Sequence, residues 1–123
     1  MNNQKVDKNY TKEVAQTILN QLNVIKTELW AWGAKNYVCL NRKVEGMSCP
    51  ALMFSIRTPK IQRGGRVIIS YNEGTDTYIV EAIRVIKGEE KLIGINKEVY
   101  CDELHNAINL LIEDEETYLK VCF

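Results

Sequence analysis

The sequence has little of what disordered, membrane-spanning or secreted chains contain. It has two prolines and seven glycines in 123 residues, and this low content argues against disorder. Its longest apolar runs cover a handful of residues, whereas a membrane-spanning helix needs about 20. The first ten residues, MNNQKVDKNY, lack the apolar core of a secretory signal. We therefore expect a soluble protein of the cytoplasm.

Histidine and paired cysteines are also scarce. His105 is the single histidine, so a Ser-His-Asp or Cys-His mechanism must use it. Cys101 precedes it by one helical turn, which would place both on nearly one side of a helix. Cys39 and Cys49 are ten residues apart, so the C-x2-4-C spacing of zinc sites is missing. We interpret His105 as a boundary residue and the cysteines as reduced thiols, and we predict no metal site.

Phosphate-binding motifs and paired catalytic carboxylates are missing as well. Gly64-Gly65 is followed neither by GK(S/T) nor by the GxGxxG pattern. Glu73 and Asp76 fall in a polar stretch where an aspartate can bond its own backbone, so a turn explains them. The sequence predicts a protein without a cofactor or an enzymatic activity.

The middle of the chain is rich in β-branched and aromatic residues. Val67–Tyr71 and Tyr78–Ile86 predict two strands joined by a turn over Asn72–Asp76. Neither strand alternates cleanly, which is typical of central strands that are covered on both faces. Glu81 and Arg84 would need partners there, because an unpaired buried charge costs several kcal/mol.

Helical periodicity flanks this hairpin on both sides. An amphipathic helix is predicted over Lys12–Leu22, with Thr11 as its cap and an end near Asn23. A second is predicted over about Tyr100–Glu113, where apolar residues recur at i, i+3, i+4 and i+7.

Shorter apolar runs complete the predicted architecture. They indicate four further strands, at Tyr37–Leu40, Ala51–Ile56, Lys91–Ile95 and Tyr118–Phe123. Asn41–Cys49 is interpreted as a polar turn, and residues 1–9 as a flexible leader. We expect one α+β domain over residues 1–123, a twisted antiparallel sheet of about five or six strands with two amphipathic helices.

Charge is divided unequally along the chain. Residues 1–66 carry 11 Lys/Arg and 4 Asp/Glu, a net charge of +7, and residues 67–123 carry 5 and 12, a net charge of −7. Such asymmetry indicates either an interaction surface or charges that complement each other within the fold.

One loop concentrates the positive charge near two tryptophans. Its basic residues are Arg57, Lys60, Arg63 and Arg66. With Trp30 and Trp32 it would form a surface that follows a nucleic-acid backbone and stacks bases. The tryptophans equally suit a core packed against the first helix, and the loop suits a solvated connection.

Four segments resemble a known family. They are Thr17–Leu22 (TILNQL), Gly33–Val38 (GAKNYV), Asp76–Tyr78 (DTY) and Val99–Leu104 (VYCDEL). They are similar to TILxQLGG, TGAKNFV, ITLNxxDTYD and VYADxL in uncharacterised small proteins of bacteriophages, prophages and other mobile elements. Proteins of that family end with the sequence TGLYLSL, which is similar to the C-terminal residues of this chain.

The resemblance has departures and a limited reach. This chain has Asn23 in place of a glycine, Trp32 in place of a threonine, and Glu116-Thr117 before Tyr118 in place of TG. The resemblance implies a phage or mobile-element origin, hence a bacterial host cell, and a single domain. It implies no activity.

Two functions remain open from the sequence. By elimination we favour a non-enzymatic accessory protein that binds a protein partner or itself, since the edge strand Lys91–Ile95 can accept another strand. The alternative is nucleic-acid binding through residues 57–66 and the nearby aromatics, against which the overall neutrality of the chain counts. We expect neither a membrane nor a small-molecule cofactor as a partner.

Overall fold

A five-stranded antiparallel sheet, in which each strand pairs with the next along the chain, forms the centre of the structure. The structure is a computed structural model that describes residues 8–112, and for Lys8 and Ile25 it describes the backbone only. The strands are β1 (Lys35–Val44), β2 (Met47–Ile56), β3 (Gly65–Asn72), β4 (Thr77–Ile86) and β5 (Glu89–Val99). The helices are α1 (Lys8–Leu22), α2 (Lys26–Ala31) and α3 (Leu104–Ile112), with 3₁₀ turns at Asn23–Ile25 and Cys101–Glu103. The predicted α+β class is confirmed.

The predicted central hairpin is β3 and β4. Ile69 lies opposite Val80 in the ladder, and both are fully buried. In the connecting turn the Gly74 amide donates to Asn72 Oδ1 at 3.0 Å, and Asp76 has a φ of 54°. Asn and Asp fit here because their side chains bond the local backbone and they tolerate the left-handed region.

Both long helices pack on one face of the sheet, which we call the helix face. α1 crosses β1 and β2, and α3 crosses β4 and β5. Their buried residues Ile18 and Ile108 share one apolar core with Phe54 and Val67 of the sheet. Burying each such side chain contributes about 1.5–3 kcal/mol, so this face supplies most of the apolar stabilisation.

The opposite face of the sheet holds a smaller core of Ala51, Ile68 and Ile83. Within residues 8–112 no helix packs on it, yet Ile68 is 1% exposed. Curvature explains this burial, because Arg42 of β1 contacts Glu90 of β5 across the face. In a flat sheet these two strands would lie about 19 Å apart, beyond the reach of both side chains. The sheet therefore curls towards this face, which we call the curled face.

Several predicted boundaries are wrong. β1 and β2 extend through most of Asn41–Cys49, and only Glu45 and Gly46 form the turn, with φ angles of 50° and 82°. α1 begins at Lys8, so Thr11 is not a cap but a buried helical residue whose side chain bonds Asn41.

Other predictions hold with adjusted limits. The first helix ends at Leu22, as expected, and the predicted edge strand is the longer β5. The predicted helix from Tyr100 becomes a 3₁₀ turn followed by α3. Residues 1–7 of the predicted leader and the predicted strand Tyr118–Phe123 lie outside the described residues. Of the described helices, none has the length and apolarity that crossing a membrane requires.

Candidate functional site

The basic loop predicted from the sequence is anchored to the protein core. Thr58 and Ile61 exchange backbone hydrogen bonds of 3.0 and 3.1 Å, and both are buried. The Thr58 hydroxyl also donates to the backbone oxygen of Ile112 at 2.8 Å. This anchoring leaves Arg57, Lys60 and Arg63 exposed on the outside of the loop.

Trp30 and Trp32 separate in the structure, because α2 ends between them. Trp30 is 85% exposed on α2, whereas Trp32 is 2% exposed and its ring lies 5.9 Å from that of His105. The prediction that both could form a stacking platform is therefore wrong for Trp32, which belongs to the core.

A backbone contact joins the segment that follows Trp30 to the basic loop. The Arg57 amide donates to the Trp32 oxygen at 2.7 Å, and the Gly33 amide donates to the Trp30 oxygen at 3.0 Å. We call the exposed side chains of Trp30, Arg57, Lys60 and Arg63 the basic surface. Arg66 does not belong to it, because it lies in β3 on the curled face and its charge lowers the pKa of Glu90, after the larger effect of Arg42.

Gly64, which lies within this loop, has a packing role. A Cβ on Gly64, whose φ is 64°, would lie 2.2 Å from the backbone oxygen of Val85. The Gly64 oxygen accepts a hydrogen bond of 2.8 Å from the Val85 amide. Close approach of the two backbones therefore accounts for this glycine without a phosphate ligand.

A cleft that sequence reasoning missed lies at the other end of the sheet. β3 leads from the basic loop to the turn before β4, a distance of about 25 Å for its eight residues. Around that turn, residues of α1 and of the 3₁₀ turn before α3 line two adjoining cavities that are open to solvent. We call them together the tyrosine–carboxylate cleft.

The two cavities share Asp76 and Tyr78. The first, the tyrosine compartment, has a volume of about 370 Å³ and is lined by Tyr10, Glu13, Val14, Thr17, Tyr71, Asp76 and Tyr78. The second, the acidic compartment, has a volume of about 610 Å³ and is lined by Gln21, Asp76, Tyr78, Tyr100, Cys101, Asp102 and Glu103. The cleft therefore combines aromatic rings with carboxylates along one continuous surface.

Hydrogen bonds hold the tyrosines of the first compartment in place. The Tyr71 hydroxyl donates to Asp76 Oδ1 at 2.7 Å, and the Tyr10 hydroxyl donates to Glu73 Oε2 at 3.1 Å. The Asp76 hydrogen bond, with smaller effects of burial and nearby charge, raises the pKa of Tyr71 to about 12. The phenol is therefore neutral at physiological pH and presents a ring without a negative charge.

Gln21, which lines the acidic compartment, has a buried acceptor atom behind the cleft surface. Gln21 Oε1 is buried and has no hydrogen-bond partner among the described residues. Burial raises the pKa of Tyr78, and a hydrogen bond from Gln21 partly offsets this rise. At the rim, Glu103 accepts a bond of 3.2 Å from the Tyr100 amide, which fixes its carboxylate. An acceptor that is buried without a partner costs free energy, because it has lost its hydrogen bond to water.

Some of the four segments that resemble those of other small proteins meet at the cleft, although the sequence does not show that they meet. Three of the four, Thr17–Leu22, Asp76–Tyr78 and Val99–Leu104, supply residues to its walls. The fourth, Gly33–Val38, begins β1 beside Arg57, away from the cleft.

The described residues contain no group of three or more histidine, cysteine or carboxylate side chains that could hold a metal ion. Comparison with known proteins gives no match to a family model, to a curated protein or to a solved structure.

Proposed function

We propose that this chain is a non-enzymatic accessory protein that acts by binding a protein partner, and that the partner binds in the tyrosine–carboxylate cleft. The observation that carries the proposal is the junction of the two compartments at Asp76 and Tyr78. At this junction the two compartments adjoin and form one concave surface. Tyrosines are enriched at protein interfaces because their rings bury a large area at a low entropic cost.

The charge of the cleft defines the partner segment. Asp76, Asp102 and Glu103 line it, and within residues 8–112 no lysine or arginine does. A basic segment is complementary, since carboxylates form charge-assisted hydrogen bonds with Lys and Arg. From the resemblance to proteins of phages and mobile elements we infer that this interaction takes place in the cytoplasm of a bacterial host.

Selection from a displayed library of random peptides tests this function. Wild-type protein should enrich Lys- and Arg-rich sequences, and their binding should weaken as salt increases. Asp76→Asn with Asp102→Asn should abolish the enrichment; asparagine tolerates the positive φ of residue 76, so the turn is kept. Glu89→Gln, at the other end of the sheet, is the matched control. The proposal is rejected if no basic sequence is enriched, or if the cleft variant enriches the same ones.

Nucleic-acid binding is the second candidate function, and the bond between the basic loop and the segment that follows the exposed Trp30 favours it. The basic surface presents one exposed indole and three cations at one end of the sheet, which is the combination that binds single strands without sequence preference. Titration of a labelled oligonucleotide at low salt tests it, and failure to bind would remove this candidate.

A further inference from the structure

We propose that the tyrosine compartment binds an organic ammonium group, the side-chain head of a lysine in the partner segment. Naming a lysine rests on the proposed function, whereas ammonium binding itself can be tested without any partner.

Three tyrosines from three different elements meet around this cavity. Tyr10 comes from α1, Tyr71 from β3 and Tyr78 from β4. The rings of Tyr71 and Tyr78 have centroids 5.6 Å apart and planes tilted by 53°. Two rings at this angle form adjacent walls instead of a closed stack. Aromatic walls of this kind attract cations through the negative potential of the ring faces.

Carboxylates surround the rings on several sides. Glu13 and Asp76 line the compartment, and Glu73 accepts the hydrogen bond of Tyr10. Among the residues the structure describes, no cation lines it to neutralise them. The negative potential of the carboxylates therefore adds to that of the rings, and a cation entering the cavity meets both.

The hydrogen bonding of Asp76 favours an ammonium over a guanidinium. Arginine binds a carboxylate best when both oxygens accept its two parallel N–H bonds. Here one oxygen of Asp76 already accepts the hydroxyl of Tyr71 at 2.7 Å. A lysine head is a compact charge with no such requirement, and Val14 of the lining provides an apolar contact for its methylene chain.

Solution NMR with two probes tests the inference. Tetramethylammonium and Nα-acetyl-lysine methylamide are titrated into protein with labelled tyrosine rings. We expect saturable shifts of the Tyr10, Tyr71 and Tyr78 ring signals, and weaker shifts with the arginine analogue. Tyr71→Leu should reduce affinity roughly tenfold, because it removes one aromatic wall. Tyr71→Phe should retain most of the affinity, since it keeps the ring.

Two further variants separate binding from folding. Asp76→Asn should weaken binding of both probes without loss of the native spectrum, which covers the case in which Tyr71→Leu fails to fold. Tyr37→Leu, on β1 against Phe54 and outside the compartment, should bind as the wild type does.

The outcomes distinguish this inference from the function on which it rests. Absence of shifts, or shifts unchanged by both Tyr71→Leu and Asp76→Asn, would overturn the ammonium site. If basic peptides still bind, and an Asp102→Asn variant weakens their binding, the proposed function stands without the ammonium site. If neither probes nor peptides bind, both proposals fail.

Discussion

The guanidinium of Arg42 on β1 donates two hydrogen bonds of 3.0 Å to the carboxylate of Glu81 on β4, although two strands lie between them. Glu81 is 6% exposed, so the sequence-based expectation that it needs a partner is confirmed. Arg84 differs, because its Nε is buried and has no hydrogen-bond partner among the described residues. The Arg42 side chain also reaches Glu90 of β5 at 2.5 Å, so one cation connects both sides of the curled face.

Replacing Arg42 with methionine should lower the free energy of unfolding by about 3 kcal/mol, because it leaves the buried carboxylate of Glu81 without its counter-charge. Urea denaturation measures the effect. The double variant Arg42→Met, Glu81→Met should recover most of the loss, since two apolar side chains need no partner. Lys43→Met, the exposed neighbour on the same strand, is the control and should change stability little. Equal losses in the single and double variants would contradict this account.

Glu90 should make stability depend on acid pH. The hydrogen bond from Arg42 holds the pKa of Glu90 below its ordinary value of 4.5. Its contribution is therefore fully present above about pH 4.5 and is lost as the pH falls through the lower pKa of the folded state. Because the side chain of Glu90 is 44% exposed, the contribution is less than about 1 kcal/mol.

Glu90→Gln should accordingly make the free energy of unfolding depend less on pH below pH 4.5. Urea denaturation at a series of pH values measures this dependence. The neighbouring Glu89→Gln is the control and should leave the profile as it is. A steeper acid dependence of stability in the Glu90 variant would contradict a lowered pKa of Glu90 in the folded state.

The basic surface predicts a distinct pattern of nucleic-acid binding. Arg57→Ala with Arg63→Ala should weaken binding of a single-stranded oligonucleotide and lower the slope of log affinity against log salt by about 0.7 for each lost phosphate contact. Trp30→Ala should cost about 1–3 kcal/mol if a base stacks on the indole, with the fold intact because the ring is exposed. Lys12→Ala, on an exposed position of α1, is the control for charge. Fluorescence anisotropy across a salt series measures all four proteins, and a uniform response to these substitutions would exclude a localised site.

Gly64 and Gly46 form a matched pair for backbone strain. Both have positive φ, 64° and 82°, but only a Cβ on Gly64 would approach another backbone, because nothing lies within 4 Å of one on Gly46. Gly46→Ala should cost about 1–2 kcal/mol for its conformation alone. Gly64→Ala should cost clearly more, since Val85 must also move away. Equal midpoints in thermal denaturation would contradict the close packing of these two segments.

The sequence predicted the parts of the fold that local patterns determine. The β3–β4 hairpin has dense β-branched residues and a turn whose chemistry is readable, and α1 has a clear apolar stripe. The interpretation of Asn41–Cys49 as a polar turn is wrong, because polar residues of this segment have distant partners within the sheet. Arg42, for example, bonds Glu81, which lies 39 residues further along the chain. The apolar periodicity of a short sequence segment cannot show a partner that is distant in the chain.

The candidate site was less accessible from the sequence for the same reason. Tyr10, Gln21, Asp76 and Tyr100 are spread over ninety residues, and only the folded arrangement of α1, the β3–β4 turn and the 3₁₀ turn before α3 brings them together. The basic loop was visible because its residues are contiguous, yet sequence spacing could not show that α2 ends between Trp30 and Trp32.

Ion pairs between side chains bridge the curled face above its apolar core. Glu45 and Lys97 form a second such pair, again between the β1–β2 hairpin and β5, while β1 and β5 share no ladder. Dissolved ions screen exposed pairs of this kind far more than they affect backbone ladders. Concentrated salt should therefore weaken the exposed Glu45–Lys97 pair, whereas the buried Arg42–Glu81 pair and the apolar core of the curled face keep the sheet rolled, so that the curvature of this protein persists when its medium changes.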